Sequence, residues 1–120
     1  LTQHNTGITL VLAFDYGGRS EIIEAVQKIL NDGHDAKTID EKTFETFLYT
    51  SQIPEPDLII RTAGEMRLSN FLIWQSAYSE YYTTKTLWPD FKADEVKKAL
   101  NAYEQRNRSF GKIDSELSDL

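Results

Sequence analysis

The 120-residue sequence contains no cysteine. That excludes a disulfide scaffold, a thiolate zinc site and a cysteine nucleophile, and it permits a reducing, cytosolic setting. Long apolar runs are missing too. Ile8 to Phe14, broken by Thr9, and Leu58 to Ile60 fall far short of the ~20 residues a spanning helix needs. There is no basic stripe. The net charge is −6, and residues 1–56 carry nine acids against four bases, which argues against DNA or RNA binding. Residues 57–92 carry four of each, a balance that leaves room for a small anion pocket. The first residues have neither the basic start nor the apolar stretch of a signal peptide, so none is expected. Leu1 is no natural start residue, which points to a piece of something longer. Repeats and low-complexity tracts are absent. What is there, with 40% apolar residues, is enough for one small domain.

The apolar pattern divides the chain into alternating elements. Ile8 to Phe14 is apolar and partly β-branched, and reads as a strand buried on both faces. After the turn Asp15-Tyr16-Gly17-Gly18-Arg19, apolar residues 22, 23, 26, 29 and 30 share one helical face, with Ser20 as N-cap and Gly33 as the stop. Thr38 to Glu41 fits a capping box and predicts a second helix from Ile39 to about Tyr49, burying Phe44, Phe47 and Leu48. Pro54 and Pro56 break the chain, and Asp57 to Arg61 reads as a second buried strand. Ser69 is placed to cap a third helix, Asn70 to about Tyr78. Tyr81 to Thr84 has strand propensity, Trp88 to Phe91 is a rigid turn, and Ala93 to about Arg108 is a last helix with Val96, Leu100 and Tyr103 inward. Trp74, Tyr78, Tyr81, Tyr82, Trp88 and Phe91 are assigned to the core, His4 and His34 to the surface, and residues 112–120 to a polar tail. The order predicts an α/β fold, a parallel sheet with flanking helices and right-handed crossovers. Three strands are few, so a sheet edge would need more chain or a second subunit to cover it.

Ligands of open α/β sheets sit beyond the carboxyl ends of the strands. There Arg61 leaves a strand tip, Gly64 turns the chain, Arg67 follows six residues later, and Ser69-Asn70 would open a helix whose free N–H groups attract anions. Two guanidinium forks, a hydroxyl and a helix N-terminus describe a phosphate or diphosphate pocket. A second reading stays open: Arg67 pairs with Glu65 at the surface and Ser69 is only a cap. Glu80, taken alone, is a solvated carboxylate. Beside a bound diphosphate it would suit Mg²⁺, which takes one or two carboxylates plus phosphate oxygens and water. The glycine pair at Gly17-Gly18 matches neither the dinucleotide fingerprint nor the Walker loop and reads as a strand-to-helix turn, with Arg19 a minor anion contact.

The run Asp57-Leu58-Ile59-Ile60-Arg61-Thr62-Ala63-Gly64-Glu65-Met66-Arg67-Leu68-Ser69-Asn70-Phe71 resembles bacterial undecaprenyl diphosphate synthases, which are cis-prenyltransferases. It continues through Trp74-Gln75, Ala77 to Glu80 and Leu87 to Phe91, and Ala13 to Arg19 resembles a strand-and-turn of that family in which Asn is usual at the Asp15 place. The resemblance covers residues 1–111 as the carboxyl-terminal half of such a domain. It implies that Arg61, Arg67, Ser69 and the Leu68 backbone hold the diphosphate of isopentenyl diphosphate, and that Glu80 ligates Mg²⁺. It implies cis condensation onto an allylic diphosphate such as farnesyl diphosphate, giving undecaprenyl diphosphate for cell-wall synthesis. A homodimer is implied, in the cytoplasm, with at most peripheral contact at the inner face of the membrane.

Two departures limit that implication. The family's amino-terminal loop of the type His-Met-Asp-Gly-Asn-Gly-Arg, with the catalytic aspartate and the arginines for the allylic diphosphate, has no counterpart here, so no catalytic residue is assigned and the chain is expected to be inactive alone. The family's closing Arg-Phe-Gly, which reaches the partner subunit's active site, appears as Ser109-Phe110-Gly111, with Arg108 one place out of register. Two other readings compete: a non-catalytic partner subunit, which has no need to keep a substrate pocket, and a generic phosphate-binding α/β module, for which inorganic phosphate would serve as well and Mg²⁺ would not matter.

Overall fold

Two parallel strands position the candidate site. In the computed structural model, which describes residue 2 and residues 4–106, β1 (Leu58–Arg61) pairs with β2 (Glu80–Thr83). The register sets Leu58 opposite Glu80 and Arg61 opposite Thr83. Three helices flank them: α1 (Gly18–Asn31), α2 (Glu41–Glu45) and α3 (Ala93–Glu104). Single 3₁₀ turns lie at Ala36–Thr38 and Trp88–Asp90. The α/β class and the parallel pairing agree with the sequence reading; the strand count does not. Residues 8–14 form no strand and are exposed throughout, Ile8 at 97%. A strand apolar on both faces is stable only between sheet neighbours and covering helices, and no described residue pairs with this one.

The main core lies between α1 and α2. Ala25 and Ile29 of α1 meet Phe44 and Leu48, with Ile22, Ile39, Phe47 and Trp74 packed around them. The Phe44 and Trp74 rings lie 4.5 Å apart. Helix α1 stops where its sequence says it should. Gly33, at φ 74°, lets its own N–H reach the Leu30 carbonyl (3.2 Å) and the His34 N–H reach that of Ile29 (3.4 Å), which closes a Schellman cap.

Several local expectations are corrected. Helix α1 starts at Gly18, so Ser20 lies inside its first turn and is not the cap. Helix α2 is capped by Asp40, not Thr38: the Asp40 carboxylate accepts from the Thr43 N–H (2.7 Å) and hydroxyl (2.6 Å). The Thr38 hydroxyl instead donates back to the Asp35 carbonyl at 2.8 Å. Beyond Glu45 the second helix gives way to turns. No third helix forms over 70–78, because Asn70 and Leu72 have left-handed backbones (φ 64° and 46°) that interrupt it. Helix α3 ends at Glu104, and it buries Ala99 while Val96 and Leu100 stay exposed. Of the aromatics assigned to the core, Tyr78, Tyr81 and Trp88 are exposed. Trp88 stacks instead on Phe91 with ring centroids 6.1 Å apart. The proposed tail at 112–120, Arg108 and Ser109-Phe110-Gly111 lie outside the described residues.

One carboxylate sits inside the fold. Glu21 is 1% exposed, and among the described residues no cation pairs with it. It accepts from the Tyr16 hydroxyl (2.5 Å), the Tyr49 N–H (2.9 Å) and the Gln75 side-chain amide (3.0 Å). Three donors on one carboxylate replace the water it loses. The partners come from the turn before α1, the segment after α2 and the connection between the strands, so the network ties all three together.

Candidate functional site

The loop after β1 carries the sequence-predicted anion residues. Arg61 is the last residue of β1, and its carbonyl accepts from the Thr84 N–H at 2.9 Å. Ala63 and Gly64 then take left-handed backbones (φ 63° and 70°) and bend the chain back over the end of β2. That bend is fixed by the Ala63 N–H on the Thr86 carbonyl (3.0 Å) and the Gly64 N–H on the Thr84 carbonyl (2.8 Å). The loop is therefore docked on the strand ends by main-chain bonds.

The side chains of the loop converge. Arg61 Nη2 donates to Glu65 Oε2 at 2.8 Å and to Ser69 Oγ at 3.3 Å. Arg67 Nη2 reaches the same Glu65 oxygen at 2.6 Å. The hydrogen bond from Arg61, with Arg67 beside it, holds the Glu65 carboxyl below the usual glutamate range. Arg67 remains two-thirds exposed, and Arg61 and Glu65 about one-third. Both readings of the spacing thus describe part of what is found. Arg67 does pair with Glu65, and Arg61 also joins that carboxylate while touching the Ser69 hydroxyl. The helix N-terminus expected there is missing, since residues 69–78 are turns. Leu68 is half-buried below the cluster, and its carbonyl accepts from the Phe71 N–H at 3.1 Å.

Beside the arginines opens a cleft of about 850 Å³, with Leu58, Ile60, Met66, Leu68, Phe71 and Trp88 among its walls. A cationic cluster at one end of an apolar cleft suits a ligand with an anionic head and a hydrocarbon body.

Glu80 is not brought to this cluster. It opens β2, opposite Leu58 and three positions back from the level of Arg61, which is roughly 10 Å along a strand. Its Oε2 accepts from Arg106 Nη1 at 2.9 Å, and Arg106 Nη2 donates to the Tyr81 carbonyl at 3.1 Å. Among the described residues no group of three or more His, Asp or Glu side chains is arranged to hold a metal ion. Glu80 is engaged by Arg106, and among the described residues a Mg²⁺ ion at Glu80 would have to complete its shell with phosphate oxygens and water.

The pairing of Glu65 with Arg67 is the second reading of the spacing; two other residues escape a reading by spacing. Asn70 and Arg106 act on partners 51 and 26 residues away, and nothing local marks them.

A carboxylate flanked by two arginines lies on a loop past the end of a parallel strand, the place where open α/β folds hold their ligands. Residues 1–111 match the prenyltransferase family described as undecaprenyl diphosphate synthase, and the chain belongs to that family. It is 56% identical over 112 residues to an isoprenyl transferase of Thermotoga maritima, covering 92% of this chain and 48% of that one. An isoprenyl transferase of Fusobacterium nucleatum is 53% identical over 112 residues, covering 93% and 47%. Among solved structures, lavandulyl diphosphate synthase from Lavandula x intermedia, crystallised with dimethylallyl diphosphate, superposes with a TM-score of 0.85 at 44% identity, over 92% of this chain and 49% of that one. The chain spans about half the length of these relatives. The recognition made from the Arg61–Glu80 run and the α/β class both hold. No helix among the described residues is long and apolar enough to cross a membrane.

Proposed function

We propose that this chain supplies the isopentenyl-diphosphate side of a cis-prenyltransferase that builds undecaprenyl diphosphate. The observation that carries this reading is the convergence of Arg61 and Arg67 on one acidic oxygen, with Ser69 against Arg61. An incoming diphosphate, with more charge and more acceptor oxygens than a carboxylate, takes over both guanidinium forks. Isopentenyl diphosphate is then held by its head, with its alkene along the apolar cleft. The terminal alkene carbon attacks the first carbon of an allylic diphosphate such as farnesyl diphosphate. The carbon–oxygen bond to that diphosphate breaks, diphosphate departs, and a proton is lost to form the new double bond. The part played here by Arg61, Arg67, Ser69 and the Leu68 backbone is to position the nucleophile.

Glu80 remains the carboxylate proposed for Mg²⁺, but a metal there has to displace Arg106. The reading extends to a homodimer in the cytoplasm, touching the membrane only through the lipid product. The residues held here form half of a reaction site, so the chain alone elongates nothing.

Isothermal calorimetry with isopentenyl diphosphate tests the proposal. Binding is expected for the unmodified chain and is lost in Arg61→Ala and Arg67→Ala. Binding equal to that of inorganic phosphate, or indifferent to both substitutions, overturns it, as does elongated product from the 120-residue chain with farnesyl diphosphate.

A further inference from the structure

The glycine pair at the start of α1, Gly17 and Gly18, has no part in the chemistry above, yet it lies against Asn70 and Ile73. A helix begins with N–H groups that have no partner within the helix. In α1 the N-cap residue is Gly17, which has no side chain to supply one. The acceptors come instead from Asn70. Its carbonyl takes the Gly18 N–H at 2.7 Å, and its side-chain Oδ1 takes the Arg19 N–H at 2.9 Å. Both acceptors of one loop residue are thus spent on the first turn of a distant helix.

The approach is close enough to explain the glycines. A Cβ on Gly17 would stand 2.7 Å from the Asn70 side-chain nitrogen, and one on Gly18 would stand 3.0 Å from Ile73 Cγ1 and 3.1 Å from the Ile73 nitrogen. The loop is also strained. Ser69 and Asn70 both have left-handed backbones, at φ 52° and 64°. Asn adopts that conformation readily, whereas Ser does so only when its surroundings impose it. Ser69 is the residue whose hydroxyl faces Arg61.

We propose that Asn70 is a positioning residue. By capping α1 it holds Ser69 in the left-handed conformation, and so fixes where the Ser69 hydroxyl stands beside Arg61. The shape of the anion loop is set by a helix to which the loop does not belong. The consequence for ligand binding rests on the diphosphate reading; the consequence for the loop itself does not.

The test compares Asn70→Gly, Asn70→Asp and Gly17→Ala in the full chain, by peptide-level hydrogen exchange without ligand and by calorimetry with inorganic diphosphate. Asn70→Gly keeps the left-handed backbone but removes the side-chain acceptor; Asn70→Asp keeps the acceptor. Loss of a cap of ordinary strength raises exchange about tenfold in residues 18–22 and 61–70 in Asn70→Gly. Residues 93–104 keep their protection, and Asn70→Asp restores it at Arg19. Gly17→Ala, which pushes Asn70 away, repeats the Asn70→Gly result and carries the test if that variant does not fold. Diphosphate binding weakens in Asn70→Gly and Gly17→Ala. Unchanged protection of both segments in both variants overturns the proposal, even where diphosphate binds the unmodified chain. Loss of protection together with no diphosphate binding by the unmodified chain overturns the diphosphate reading and leaves Asn70 in its role.

Discussion

The guanidinium groups of Arg61 and Arg67 are tied to one oxygen: each presents its Nη2 to Glu65 Oε2, at 2.8 and 2.6 Å. An internal carboxylate therefore occupies the point to which an outside anion would be drawn. Replacing it by Glu65→Gln removes the competing charge while keeping an acceptor of the same size. The variant is expected to bind inorganic diphosphate severalfold more tightly than the unmodified chain, as read by calorimetry. Tighter binding at higher salt would argue against charge as the cause, because screening weakens an exposed ionic contact.

The same clamp has an acid limit. Pairing with Arg61, and then Arg67, lowers the folded-state pKa of Glu65. A lowered carboxyl contributes stability above its unfolded pKa of about 4.3 and loses it as pH falls through the folded value. The Arg61–Glu65–Arg67 contact is thus intact at neutral pH and opens only in acid below the ordinary glutamate range. Carboxyl NMR titration of Glu65 checks the direction, and Arg61→Ala should bring its midpoint back up.

Glu21 gives the opposite pattern through its neighbour. Burial first, and the hydrogen bond to Glu21 second, push the Tyr16 hydroxyl above the usual tyrosine range. A raised folded-state pKa contributes stability below the unfolded value of about 10 and loses it as pH rises through the folded one, so the network weakens in strong alkali. Glu21→Ala strips the acceptor from three donors and should cost about 3 kcal/mol or more in urea unfolding, at roughly 1–3 kcal/mol per buried unpaired group. Absorbance titration in that variant should find Tyr16 ionising at lower pH.

Phe44 is the aromatic of the main core, buried against Trp74. Phe44→Ala is expected to destabilise by about 3–5 kcal/mol in the same assay. Gly33→Ala should cost about 1 kcal/mol through backbone conformation alone, since a Cβ there meets nothing within 4 Å.

Arg106→Ala tests the carboxylate proposed for magnesium. The ion pair with Glu80 is partly exposed, and its loss should change stability by less than about 1 kcal/mol. With Arg106 gone, Mg²⁺ binding measured by calorimetry should strengthen, and Glu80→Gln should abolish it. Equal Mg²⁺ binding in all three chains would remove Glu80 from the proposal.

Much of this arrangement was legible in the residues. The strand at Leu58 to Arg61 is bounded by proline and by a loop, and the stop at Gly33 needs only its neighbours. Arg61, Arg67 and Ser69 could be grouped because one short loop carries all three. The rest depends on contacts that no local pattern encodes. Asp40 outcompeted Thr38 as a cap because its carboxylate takes two bonds at once. The helix expected after Ser69 failed because Asn70 and Leu72 take left-handed backbones. Ile8 to Phe14 has the composition of a central strand, and composition cannot say whether partners stand on either side.

That segment has a practical consequence. An exposed, uncharged stretch rich in Ile, Leu, Val and Phe, with no ladder on either edge among the described residues, is a template for cross-β growth. Light scattering of the isolated chain should rise with protein concentration and with salt. A lysine or proline placed at Leu10 or Leu12 should suppress that rise without touching the arginine loop, and would serve as a gatekeeper for handling the chain at millimolar strength.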